Sequence, residues 1–177
     1  LANSINRQGR RNEAAALYYE VLQVQERVLG PGHPSTLMSR RNLRACYANW
    51  SRKLSTSADP VDRDHEKAAE LAAIAIDLFP EPDQRELADW GHIGQMFYRA
   101  GRFAEARDCL EKVIELRQDT GPSMNGGPRW WYYTMTLWRL GEKDRSRELF
   151  TELDRMLTEK PPRNLVLFSH LRSEVIE

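Results

Sequence analysis

Four histidines and two cysteines are the side chains of this chain best suited to ligating a metal or attacking a substrate, and their placement favours neither. His33, His65, His92 and His170 are far apart, in a linker, two separate helical patterns and the final segment. None stands at ligand spacing from a Cys, Asp or Glu, as a zinc or catalytic site requires. Cys46 and Cys109 are isolated thiols within helical patterns, and they read as reduced, buried side chains. Asn125-Gly126-Gly127-Pro128 is glycine-rich but lacks the Lys-Ser/Thr that would hold a nucleotide phosphate, so it reads as a turn. Acidic residues such as Glu111 have Arg or Lys nearby at helical spacing and read as solvated helix faces. The expectation is therefore a chain with no catalytic residue, no metal and no cofactor, whose function resides in a surface.

Bulk properties agree. The 177 residues carry 26 basic and 26 acidic side chains, a net charge of zero, which favours neither nucleic acid nor an anionic membrane surface. No apolar run approaches the roughly 20 residues a spanning helix needs, and no leader pattern opens the chain. A cytoplasmic protein without membrane insertion is the corresponding expectation.

The element that would position such a surface is clearest at residues 90–116, WGHIGQMFYRAGRFAEARDCLEKVIEL. Trp90, Ile93, Gly94 and Phe97 recur at i, i+3, i+4 and i+7, one face of a helix. Phe103, Ala106, Leu110 and Val113 form a similar face after Gly101, which stands where a left-handed residue ends a helix at least cost. Gly94 and Ala106 are small enough to let the two backbones approach. The stretch reads as a helix hairpin.

Copies of it run along the chain. Residues 1–29 repeat it with a shortened first helix: Leu1, Ala2 and Ile5 match Ile93, Gly94 and Phe97, and Ala14, Tyr18 and Val21 match Ala106, Leu110 and Val113. A first residue of Leu, falling mid-repeat, leads to the expectation of a fragment of a longer protein. After GPGHPST, with Ser35 as the expected N-cap, comes a second copy at 35–80. In it Leu43 and Tyr47 share a face with Arg40, Arg44 stands where a small residue is expected, and 51–64 read as an inserted, exposed and mobile loop. A modification or hinge role for Ser55–Ser57 is the alternative to a plain solvated loop. Ala68, Ala72 and Ala75 form the second face, and Pro80 stops that helix. Asp83 and Glu86 form a capping-box signature for the third copy, 83–118. In the fourth, 128–159, WWYYTMTLW alone would read as a strand. The register makes it a helix, because Trp130, Tyr133, Thr134 and Leu137 align with Trp90, Ile93, Gly94 and Phe97. Leu167, Leu171 and Val175 mark a closing helix at 163–176 that would cover the last hairpin. Ala14, Ala68, Ala106 and Ser146 are separated by 54, 38 and 40 residues, the spacing of a repeat array.

Trp90, Gly94, Phe97, Gly101, Phe103 and Ala106 at these spacings resemble the tetratricopeptide repeat (TPR), as do Ala68, Ala72, Ala75 and Pro80. VLGPGHPSTLMSRRNL is similar to the linkers of kinesin-light-chain-type TPR arrays, which are common in large bacterial signalling proteins. WYYTMTLWRLGEKDRSRELF with its Pro-containing linker and last helix is similar to TPR tails of bacterial, notably planctomycete, serine/threonine kinases. The resemblance implies an all-α fold: a right-handed superhelical array of about four hairpins plus a closing helix, in one domain over 1–177. It also implies a protein–protein interaction scaffold binding a peptide or partner protein in its concave groove. The alternative is a regulatory or substrate-recruiting tail of a kinase whose active site lies outside these residues. Self-association through the shortened first hairpin is a third reading.

In such an array the first helices line the groove. The candidate groove residues are Asn3, Asn6 and Arg7; Arg41, Asn42, Ala45 and Asn49; His92, Gln95, Tyr98 and Arg99; and Trp131, Tyr132, Met135, Trp138 and Arg139. Asn42 resembles the helix asparagine with which TPR proteins hold a ligand backbone. An Asn amide can pair with both a backbone N–H and a C=O, while Arg holds a carboxylate by two bonds. Trp and Tyr offer contact area at low entropic cost. The expected ligand is an acidic peptide with aromatic or apolar side chains. The competing reading packs Trp131 and Trp138 on the closing helix and pairs the arginines within the array.

Overall fold

The computed structural model describes residues 10–57, 59–79, 87–117, 121–122 and 128–159. Every regular element among them is helical, and they fall into two compact units, residues 1–81 and 82–177.

The first unit contains α1 (Arg11–Leu29), α2 (Pro34–Thr56) and α3 (His65–Leu78), with a short 3-10 turn at Pro60–Asp62. Helix α1 packs on α2, and α2 pairs with α3. Alanines make the contacts thin: Ala14 and Ala15 of α1 and Ala68, Ala69, Ala72 and Ala75 of α3 are all buried. Helix α1 buries Leu22 and leaves Val21 47% exposed, so its buried face lies one residue round from the expected one. His33, not Ser35, caps α2: its Nδ1 accepts from the Ser35 N–H at 3.2 Å, and Pro34 takes the first helical position, where its missing N–H costs nothing.

The expected loop over 51–64 is largely helix. Helix α2 runs on to Thr56, because Ser51 and Ser55 are buried against α3 rather than solvated. Ser51 Oγ donates to the Ala68 carbonyl at 2.6 Å. A small polar residue at 51 thus provides the close approach that Arg44 could not. Ser55 lies 3.3 Å from His65 Nδ1, which places it in the packing and not in an exposed loop. Arg44 is nonetheless buried, with its guanidinium 5.8 Å from the centre of the Phe79 ring.

The second unit contains α4 (Leu87–Arg99), α5 (Phe103–Leu116), α6 (Arg129–Arg139) and α7 (Lys143–Glu159). They form two hairpins, α4–α5 and α6–α7, and α6 packs on both α4 and α5. Gly101 at φ 76° and Gly141 at φ 89° end the first helices in the left-handed region, as a glycine does most cheaply. At the first crossing a Cβ on Gly94 would stand 2.8 Å from Leu110 Cγ and 3.4 Å from the Ala106 carbonyl oxygen. At the equivalent crossing Ser146 Oγ donates to the Thr134 carbonyl at 2.9 Å. The stretch 130–138 is helix, as the repeat register predicts and β-propensity does not. Cys46 and Cys109 are free and buried; burial pushes the Cys109 thiol up to about 12. The Pro80 stop, the Asp83–Glu86 cap, the first nine residues and the 163–176 helix lie outside the described residues.

Candidate protein-interaction surface

The candidate groove residues divide by unit. In the first, Arg41, Asn42 and Asn49 all belong to α2; Asn49 is exposed and its Oδ1 accepts from Arg52 Nη2 at 2.9 Å, while Arg41 and Asn42 are half-buried. Asn6 and Arg7 lie outside the described residues.

In the second unit the set separates into buried and accessible members. Trp131, Tyr132 and Met135 are 0%, 3% and 2% exposed, so they do not face a partner. Helix α6 explains this: it is only 11 residues long, touches α4, α5 and α7, and buries every residue from Arg129 to Leu137. Trp131 meets Phe150 edge-on at 6.1 Å between ring centroids. Tyr132 stands edge-on to Tyr98 at 5.5 Å, and its hydroxyl accepts from Arg99 Nη2 at 2.9 Å. Gln95 is buried as well. Tyr98, half-buried, also tilts against Phe103 at 5.5 Å, so it braces α4, α5 and α6. Arg99 likewise supports Tyr132, with its guanidinium 5.8 Å from that ring.

What stays accessible is His92, exposed on α4, and the end of α6, where Trp138 is half-buried and Arg139 exposed. Lys143 Nζ lies 3.5 Å from the Trp138 ring centroid, and the Arg147 guanidinium 5.5 Å from it. Trp138 thus stacks on the cations of α7; the expected closing helix lies outside the described residues. Arg147 is paired with Asp144. Arg139 and Lys143 have no carboxylate partner among the described residues. The result is a cationic patch with an indole at its centre.

Glu111 corrects the solvated-face reading. It accepts a 2.7 Å hydrogen bond from the Tyr133 hydroxyl, and burial and this bond raise the tyrosine's pKa. Nothing in the sequence marked the pair, because the two residues come from different repeats. Among the described residues no group of three or more His, Cys, Asp or Glu side chains could hold a metal, and no helix is long and apolar enough to cross a membrane.

A family model for the tetratricopeptide repeat matches residues 1–35 and 91–120. No curated protein matches the sequence. Among solved structures, a Podosopora anserina protein described as a kinesin light chain with nearly identical TPR-like repeats is similar. A single-substitution variant of it aligns at TM-score 0.62 and 17% identity over 99% of this chain and 81% of that one. A second structure of those repeats gives TM-score 0.61, also at 17% identity, over 99% and 82%. With the register of Gly94, Ala106 and the two turn glycines, these likenesses show the fold of a TPR-like helical array, with tetratricopeptide-repeat sequence matched over residues 1–35 and 91–120.

Proposed function

We propose that this chain is a non-catalytic protein-interaction module whose first helices bind an acidic segment of a partner protein. Tetratricopeptide repeats in general mediate protein–protein contacts, and the described residues offer a charged surface in place of a reaction centre. The observation that carries the reading is the end of α6. Lys143 lies over the Trp138 ring, Arg139 is the next residue on the helix, and neither has a carboxylate partner among the described residues. A carboxylate-bearing ligand supplies that partner, and each charge-assisted bond it makes is worth about 1.5–3 kcal/mol.

His92 extends the candidate surface on α4. In the first unit Arg41, Asn42 and Asn49 remain candidates for holding a ligand backbone. The kinase-tail reading rests on the resemblance of residues 130–177, of which 160–177 lie outside the described residues.

The test is selection of a random displayed-peptide library on the immobilised chain. Enrichment of peptides with Asp or Glu beside an aromatic residue on the natural chain, lost on Arg139→Ala, is the expected result. Enrichment without acidic residues, or unaltered by Arg139→Ala, overturns the reading.

A further inference from the structure

The second unit holds a cavity of about 510 Å³ between α5, α6 and α7, lined also by Gly121 and Pro122. Its chemistry is the reverse of the Trp138 patch. Among the described residues Glu111, Glu115 and Glu152 line it against one cation, Arg145. Three carboxylates and one guanidinium leave the described lining two charges negative. Glu111 is already engaged, by the Tyr133 hydroxyl and by Arg145 Nη1 at 3.9 Å. Glu115 and Glu152 carry no side-chain hydrogen bond or ion pair among the described residues.

The wall opposite is aromatic. Trp130 and Tyr133 both line the cavity. The Arg145 guanidinium sits 5.4 Å from the Tyr133 ring centroid while it pairs with Glu111, so the chain already receives one guanidinium here by ring face and carboxylate together. Trp130 is 4% exposed, and its indole N–H has no acceptor among the described residues. Ile114 and Leu149 add apolar surface.

We propose that this cavity is a second binding site, for an arginine side chain carried on a segment of a partner protein. The guanidinium forks to Glu115 and Glu152 and lies against the aromatic wall; its aliphatic stem covers Ile114 and Leu149. Arginine suits the site better than lysine, because a planar guanidinium stacks on a ring and pairs with two carboxylates at once, whereas an ammonium is a hydrated point charge. The main-chain carbonyls of the same segment are acceptors of the type the Trp130 indole lacks. An acidic ligand is disfavoured by the like charge of the lining.

The probe is acetyl-Leu-Arg-Leu-amide, titrated into the full chain while the Trp130 indole resonance is followed by NMR. A saturable shift is expected. The citrulline counterpart, uncharged but of the same shape, binds about tenfold or more weaker, as does the natural peptide to Glu115→Gln/Glu152→Gln. These two glutamates make no side-chain hydrogen bond or ion pair among the described residues, so the double variant is expected to keep its melting temperature; the single variants are measured beside it. Arg139→Ala leaves arginine binding unchanged, which separates this site from the acidic-ligand reading above. Equal binding of the citrulline peptide, unaltered binding in the double variant of unchanged melting temperature, or no saturable shift overturns the proposal.

Discussion

Gly91 and Gly94 stand one turn apart on α4, and substituting each by alanine should move stability in opposite directions. Any Gly→Ala change inside a helix gains about 1 kcal/mol from propensity and reduced freedom of the unfolded chain. At Gly91 a Cβ meets nothing within 4 Å among the described residues, so the gain stands alone and Gly91→Ala stabilises by about 0.5–1 kcal/mol. At Gly94 the same Cβ lies 2.8 Å from Leu110 Cγ and 3.1 Å from its Cδ2. Leu110 is fully buried in the cluster that includes Trp130, Tyr133 and Leu153. The branch carbon cannot swing away as a chain end would, and relief requires the hairpin to open. Overpacking of this kind costs about 1–3 kcal/mol. Contact with a branch carbon at 2.8 Å belongs to the upper part of that range, about 2–3 kcal/mol, so against the propensity gain Gly94→Ala is a net loss of about 1–2 kcal/mol. For a chain of this size each kcal/mol is worth roughly 2–4 °C in melting temperature. Chemical denaturation followed by far-UV circular dichroism gives both numbers. A Gly94→Ala protein as stable as the natural one would refute the close α4–α5 approach, and with it the repeat register.

Three further outcomes follow from the same packing. Tyr98→Ala, which a groove residue would tolerate, should lose about 1–3 kcal/mol, since it forfeits two aromatic pairs and the support of Tyr132; thermal denaturation decides it. Cys109, its thiol pushed up to about 12 by burial, should remain unmodified by a thiol reagent at mildly alkaline pH and react only in denaturant, as measured by mass spectrometry. The Glu105 carboxyl is held below its usual 4.5 by the hydrogen bond from Arg102. It therefore stabilises the fold above that pH, and the contribution is lost as pH falls through the lower folded value. Because the pair is part-exposed the effect is small, and Arg102→Gln should flatten the acid limb of the melting-temperature profile.

Much of the architecture was readable because its determinants are local. A glycine at the end of an apolar period, as at Gly101 and Gly141, states a turn through backbone sterics alone. Small residues at Gly94, Ala106 and Ser146 state a crossing, and their regular spacing turned a strand-like run of aromatics into α6. What escaped the sequence depends on more than one element. Helix α2 continues past Ser51 because α3 covers Ser51 and Ser55, and no periodicity within 51–57 encodes that cover. Helical spacing separates one face of α6 from the other, but three neighbouring helices bury both, so Trp131, Tyr132 and Met135 packed inward. Glu111 looked solvated until Tyr133, 22 residues on, supplied its partner. The candidate site is correspondingly narrower than spacing suggested: in the second unit it keeps His92, Trp138 and Arg139 as accessible members.

The claim that this chain is an interaction module for acidic segments meets its most direct test in calorimetry. A library-selected acidic peptide is titrated into the natural chain and into Arg139→Ala. Loss of one charge-assisted contact should weaken binding roughly tenfold to a hundredfold, with the melting temperature of the variant unchanged. An affinity the same for both proteins would contradict the account.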